Sequence, residues 1–397
     1  MPATPSFLST VLRAATDAER PSGLLSTVES LTLVQALGAV PDPRDRRGRR
    51  HSLQSVLLLA LGAVLAGARS YAAIADWAAV ANSAVTVCGP PPHASTIRRL
   101  LSRLDTAALE AALTGWVLAR RPAAQQATGG PVAEGRPVLA VDGKTLRGAR
   151  GEEGRQTKLV CVYDHAQRLV LTQTGVIDGD EIAAFSAALS TLPDLHGVLI
   201  TADALHCQRE HAAWLHARGG HYLFTVKNNQ PALRRALAAL PWGQVPGSRR
   251  RQLGHGRIES RSIKVVDLDG HPAQALFPHA ARAIKLVRSR RRTATGSRST
   301  EIVYAVTSLT YRQAHPGLLA AWIQGHWAIE NAVHHVRDLT QGEDCSSVPA
   351  GSGPPVMAAL RNTALNLNRL EGHINIARAQ RQASWQPGTA LKAIHAA

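Results

Sequence analysis

The sequence predicts an α/β protein: a mixed five-stranded sheet with helices on both faces, interrupted by a β-rich insertion and preceded by an all-α N-terminal region. Three observations predict it. From residue 136, short apolar runs and helical segments follow in the order strand, strand, strand, helix, strand, helix, strand, helix. Residues 1–122 read as helical instead. Between about 243 and 312, the segments RIESRSIKVVDL, AIKLVRSRR and EIVYAVTSL alternate apolar and polar residues with the period of a strand.

The N-terminal elements come first. A mixed apolar segment, Leu25–Leu37, leads into VPDPRDRRGRRHS (40–52), where Pro41 and Pro43 break structure and Arg44, Arg46, Arg47, Arg49 and Arg50 cluster. The apolar run Val56–Ala68 has 13 residues. That is too short to span a bilayer, and it predicts a buried helix. A second helix is expected around Tyr71–Ala81, then a loop at 88–95. Ser95 is the expected N-cap of a helix over 96–105, whose Ile97, Leu100, Leu101 and Leu104 recur at helical spacing. With Arg98, Arg99 and Arg103, this segment has the pattern of a DNA-reading helix, a pattern that any amphipathic basic helix shares. A polar Gly- and Ala-rich linker is expected at 123–135.

The core follows. RPVLAVD ends in Asp142; TKLVCVYD (157–164) and RLVLTQTGVID (168–178) are two more strands joined by a turn at His165–Gln167. A helix is expected at 181–192 and a buried strand at 196–205, which holds Asp203. Next come a helix at 209–220 ending on Gly219–Gly220, a fifth strand at 221–230, and a helix opened by Pro231. Three antiparallel strands feeding a mixed sheet with helices on its faces is the ribonuclease H arrangement. Two long helices, 317–339 and 354–370, close this region of 136–372, and 373–397 forms a tail.

Composition bounds the function. At roughly 100–200 residues per domain, 397 residues suit two or three domains. With 45% hydrophobic and 18% charged residues, the chain can bury a core and is not a disordered polymer. Lys plus Arg number 45 against 28 Asp plus Glu, a formal charge of +17. Such an excess favours a polyanionic partner, because neutralising phosphates releases counterions; a genome rich in Arg and Ala would leave the same excess. Cys88, Cys161, Cys207 and Cys345 form no CxxC pair, which argues against a structural zinc site and a disulfide framework. No basic region followed by an apolar run stands at the start, so the expected location is the reducing cytosol.

The acids carry the chemistry. Asp142 and Asp203 each end an apolar strand. One alone is ordinary turn chemistry, since Asp-Gly is a common turn. Two, on strands adjacent in one sheet, point their carboxylates into the same cleft. Hard cations such as Mg²⁺ take carboxylate oxygens in near-octahedral geometry. A pair of them about 3.5–4 Å apart activates an attacking oxygen and stabilises a leaving one. The third acid should come from a helix beside the sheet. Glu330 suits this place, with His326, His334 and Arg337 near it at spacings of three or four. A solvated helix face with ordinary ion pairs has the same pattern.

Several motifs stand in order along the chain: VDGKTLRG, ITADALHCQ, YLFTVKNNQP, HGRIESR (255–261), HWAIENAVHHVRDLTQGED (326–344) and ALRNTALNLNRL. Together they resemble the insertion-sequence DDE transposases of the ISAs type, which include the H-repeat-associated proteins. Residues 41–78 likewise resemble the domain that precedes the catalytic core in that family, and the resemblance covers roughly 35–372. It implies a ribonuclease H-like catalytic core with a β-rich insertion. It also implies that Asp142, Asp203 and Glu330 are the first, second and third metal-binding acids, holding two Mg²⁺ ions, with Mn²⁺ able to substitute. The implied reaction is hydrolysis at transposon ends, followed by attack of the freed 3′-hydroxyl on target DNA without a covalent enzyme–DNA intermediate. The implied partner is double-stranded DNA, both the terminal inverted repeats and the target, bound by a homodimer or larger assembly.

Phosphate contacts are expected from Lys144, His206, Lys227, Arg290, Arg291 and Arg292, and from His326 and Arg337. The last two stand where better-known relatives carry other residues of a Tyr–Arg–Glu–Lys pattern. Two alternatives stay open on the sequence: a DNA-binding descendant that has lost catalysis, and a ribonuclease H-like nuclease that cuts without joining.

Overall fold

Every strand expected from the sequence enters one sheet of nine strands. The computed structural model of the chain describes residues 31–47, 49–84, 90–121, 135–150, 156–254, 256–346, 348 and 351–397. The start of the expected Leu25–Leu37 segment, Cys88 and nearly all of the linker lie outside the described residues.

The sheet is built around β1 (Val138–Arg150), β2 (Gln156–Asp164), β3 (Val170–Gly175), β4 (Leu199–Ala202) and β5 (His221–Val226). Their spatial order is β3-β2-β1-β4-β5. The first three are antiparallel, and β1, β4 and β5 run parallel. This is the ribonuclease H order expected from the sequence. The insertion supplies β6 (Gly247–Gly254), β7 (Arg257–Asp267), β8 (Arg282–Arg292) and β9 (Arg298–Thr307). It is not a separate lobe: β9 pairs antiparallel with β5, so the insertion extends the same sheet.

Strand alternation divides the core between two faces. Leu139, Val141, Val160, Val162, Ile200 and Phe224 share a core with Phe185 and Ala188 of one helix (Glu181–Leu189) and Ala212 and Leu215 of another (Arg209–His216). Ala140, Cys161 and Tyr163 pack with Ile329, Val333 and Leu365 on the other face. Val138, Leu199, Leu223, Ile284 and Ala305 meet Leu319 and Trp322 there too.

The helical region begins with α1 (Leu33–Gly38), α2 (Leu53–Leu65), α3 (Tyr71–Ala84), α4 (Ala94–Leu101) and α5 (Thr106–Arg120). Helix α2 is the expected buried helix, with all its residues but Gln54 buried. No helix among the described residues is long and apolar enough to cross a membrane. The cap of α4 differs from expectation: His93, not Ser95, is the N-cap, and its Nδ1 accepts from the Ser95 N–H at 3.2 Å.

Two further differences matter for packing. The helix at Gly353–Leu370 shares the core of α1–α5, so the helical region and the sheet are joined through it. The expected tail folds into two helices, Ile376–Trp385 and Pro387–Ala396, which bury Leu391 and Ile394 in that core.

Candidate active site

Asp142 does not end its strand, as the sequence led one to expect; β1 continues to Arg150 along β2. What ends at Asp142 is the pairing with β4, whose last partners are Val141 and Ala202. Asp203 is the residue after Ala202. The register therefore sets Asp142 and Asp203 side by side, at the carboxyl end of the parallel pair and on one face. That face is Ala140's, two residues before Asp142 in the same strand. It is also the face covered by Ile329 and Val333, which flank Glu330. One backbone arrangement thus brings three acids from distant parts of the chain to one place.

The segment carrying Glu330 departs from a regular helix. A conventional helix spans Pro316–His326, and two π-helical stretches follow, Glu330–His334 and Val336–Thr340. The bonds lengthen accordingly: the His335 N–H donates to the Glu330 carbonyl, and the Gln341 N–H to that of Val336. Single π turns occur mostly inside α-helices and often at functional sites.

This winding decides which neighbours Glu330 keeps. His334 Nδ1 lies 3.1 Å from Glu330 Oε2 and 3.5 Å from Asp142 Oδ2. Donor atoms of Asp142, Glu330 and His334 all lie within 4.8 Å of one another. Arg337, which regular helical spacing places on the same stripe, is instead carried inward and is 0% exposed. Each π turn takes up an extra residue, so positions beyond it fall out of phase with Glu330.

The electrostatics suit a cation. Burial, then the charges of Asp203, Glu330 and Glu181, pushes the Asp142 carboxyl up to about 7. The His334 hydrogen bond holds Glu330 below the usual glutamate range. Two oxygen acids and an imidazole converge with no committed cation among them. Lys144 shares their face, but its Nζ lies 2.6 Å from Asp338 Oδ1. A divalent ion fits this donor set, which is rich in hard oxygen ligands.

The other expected DNA contacts divide sharply. Lys144 is buried between Asp338 and Glu343. Arg337 grips Glu343 and reaches Asn362 Oδ1 at 3.2 Å. His206 is fully buried, its ring 5.1 Å from that of Phe185, and burial lowers its pKa to about 4. His326 Nδ1 meets Thr201 Oγ1 at 3.2 Å, and burial again takes the imidazole to about 4. As placed, Lys144, Arg337 and His206 are buried in the protein, while His326 is half-buried and lies within electrostatic reach of Asp203. Arg290 Nε is bound to Glu259 at 2.9 Å. Lys227, Arg291 and Arg292 are exposed and, among the described residues, make no ion pair.

Sequence reasoning passed over Glu181 and Glu343. Glu181 opens its helix, and its carboxylate occupies the space a Cβ on Gly143 would need. Only glycine beside Asp142 permits that approach, and the Asp-Gly pair was the signal. Glu343 is 3% exposed and takes charge from Arg337, Arg361 and Lys144. Burial would raise its pKa, but the two guanidiniums outweigh that and hold it low.

Comparison with known proteins points the same way. The family described as "Transposase DDE domain" matches residues 133–348, more than half the chain. One described as "DDE_Tnp_1-associated" matches residues 34–117. "Putative transposase YncI" of Escherichia coli O157:H7 is 26% identical over 351 residues, covering 85% of this chain and 87% of that protein. "H repeat-associated putative transposase YhhI" of Escherichia coli strain K12 is 25% identical, covering 86% and 91%. An uncharacterised protein in the dhlA 3′ region of Xanthobacter autotrophicus is 35% identical, covering 57% and 78%.

Proposed function

This chain belongs to the transposase DDE-domain family, and on that footing we propose that it cuts DNA at the ends of its own mobile element and joins the freed 3′-hydroxyl to target DNA. The observation that carries the reading is the β1–β4 register, which sets Asp142 beside Asp203 on the face that Glu330 approaches. In this reading Asp142, Asp203 and Glu330 hold two divalent cations, Mg²⁺ or Mn²⁺. Bound there, the ions supply activation of the attacking oxygen and stabilisation of the leaving one.

The chain's own residues do the rest. Asp142 Oδ1 accepts the Gly143 N–H at 2.9 Å, and Asp203 Oδ1 accepts the Leu205 N–H at 2.9 Å. Each carboxylate is thereby turned by backbone and leaves its other oxygen for a metal. His334 holds Glu330 toward Asp142. Lys227 at the end of β5, and Arg291 and Arg292 at the tip of β8, are the exposed cations that suit the DNA backbone. Transposition brings two ends together, so the acting form is a dimer or larger assembly on DNA.

The test uses the purified protein, DNA carrying the element's terminal inverted repeats, and Mg²⁺ or Mn²⁺. Cleavage at the ends and joined products are expected, and Asp203→Ala should bind the DNA without cutting it. Undiminished cutting by Asp203→Ala would sink the assignment. Cutting without joining would leave a nuclease, and binding alone by the unaltered protein a decayed descendant.

A further inference from the structure

We propose that His334 is itself a metal ligand, through Nδ1, of the cation shared by Asp142 and Glu330, which makes this a mixed nitrogen–oxygen site. The proposal rests on the reading that Asp142 and Glu330 bind metal, and it adds a donor that the three-acid pattern lacks.

Geometry comes first. An octahedral ion with ligands at about 2.0–2.1 Å sets neighbouring donor atoms about 3 Å apart. His334 Nδ1 stands 3.1 Å from Glu330 Oε2 and 3.5 Å from Asp142 Oδ2. Both distances from Nδ1 are close to the edge of such a shell, and the three donors lie within 4.8 Å of one another. An ion held by both carboxylates would have Nδ1 within reach as a further ligand.

Burial comes second. His334 is 3% exposed. The π turn that spans Glu330–His334 sets its backbone beside that of Glu330.

Charge comes third. In the cation-free arrangement Nδ1 offers at most one hydrogen to two carboxylate oxygens. The basic side chains that share this interior are committed elsewhere, Lys144 to Asp338 and Arg337 to Glu343. Among the described residues no Lys or Arg forms an ion pair with Asp142 or Glu330, and a divalent metal would supply that positive charge. Nε2 is buried without a hydrogen-bond partner whichever nitrogen carries the proton, so it does not favour either tautomer.

A nitrogen donor has a chemical consequence. Mg²⁺ prefers oxygen and gives up water reluctantly, whereas imidazole suits first-row transition ions. Relative to an all-oxygen site, this one should favour Mn²⁺ over Mg²⁺.

The test titrates Mn²⁺ into the metal-free full-length protein, without DNA, and reads electron paramagnetic resonance. Pulsed spectra should show coupling to a directly bound nitrogen. His334→Gln should lose that coupling, with Mn²⁺ affinity reduced on the order of tenfold or more. His326→Gln should keep it. His334→Asp should restore affinity without nitrogen coupling and shift preference toward Mg²⁺, with circular dichroism confirming the fold of each variant. Mn²⁺ bound through oxygen alone, with binding abolished by Asp142→Asn or Glu330→Gln, overturns the proposal and leaves the carboxylate reading intact. Mn²⁺ that ignores Asp142 and Glu330 overturns both.

Discussion

Arg337 sets its Nε 3.0 Å from Glu343 Oε2 and its Nη2 2.8 Å from Oε1, with neither side chain more than 2% exposed. This two-pronged pair ties the π-helical segment to the loop that follows it. Arg361 Nη1, 3.2 Å from the same Oε1, ties both to the helix at Gly353–Leu370. Removing Arg337 takes the two-pronged partner from buried Glu343 and leaves it to Arg361 and, farther off, Lys144. Arg337→Met should therefore cost at most the full penalty of a broken buried pair, about 3–5 kcal/mol, in chemical denaturation. Arg337→Lys should also destabilise, because an ammonium cannot reproduce the fork. A loss under about 1 kcal/mol for Arg337→Met would contradict this account.

The Asp142 carboxyl ordinarily titrates near 3.8 and is pushed up to about 7 in the folded, metal-free protein. Between those values the folded chain holds a proton that the unfolded chain has released. Its stabilising contribution is thus full below about 4 and is lost as pH rises through about 7. Thermal unfolding in chelator should show the unaltered protein losing ground to Asp142→Asn from roughly pH 4 to pH 7. Saturating divalent cation should flatten that difference, and a gap independent of pH would refute the assignment.

The salt dependence of DNA binding separates exposed arginines from buried cations. The double variant Arg291→Ala, Arg292→Ala should lower the slope of log affinity against log salt by about 1.8, at about 0.9 per phosphate contact. Lys144→Ala should leave that slope unchanged and lower the melting temperature instead, since its ammonium faces Asp338 and Glu343. Fluorescence anisotropy across a salt series reads both. An unchanged slope in the double variant would remove these arginines from the interface.

Gly148 packs against backbone rather than a side chain. A Cβ there would stand 2.5 Å from the Ser346 carbonyl oxygen and 3.3 Å from that of Glu343. Gly148→Ala should therefore cost about 1–3 kcal/mol, the usual range for overpacking, by displacing the loop that carries Glu343. Equilibrium unfolding measures it; stability equal to the unaltered protein would mean the loop yields freely.

Much of the sheet was legible because strand signals are local. Apolar runs bounded by turn residues predicted β2 to β5 within a few residues of their ends. The identity of β1 was legible too, but its length was not: past Asp142 it lives on pairing with β2, a long-range property. Alternation likewise revealed the insertion's strands without telling where they dock. Only the β5–β9 ladder shows that the insertion widens the main sheet.

The sequence by itself determined the strand order, the two aspartates after apolar runs, and the glutamate on a late helical segment, because these depend on composition and spacing along the chain. The tertiary structure decided what those residues meet. The β1–β4 register put Asp142 beside Asp203. The π turns put His334 against Glu330 and turned Arg337 away from it. Burial gave Lys144 and Arg337 to Asp338 and Glu343, and left Arg291 and Arg292 to the solvent. Spacing alone assumes a regular helix and an open surface, and around Glu330 neither holds.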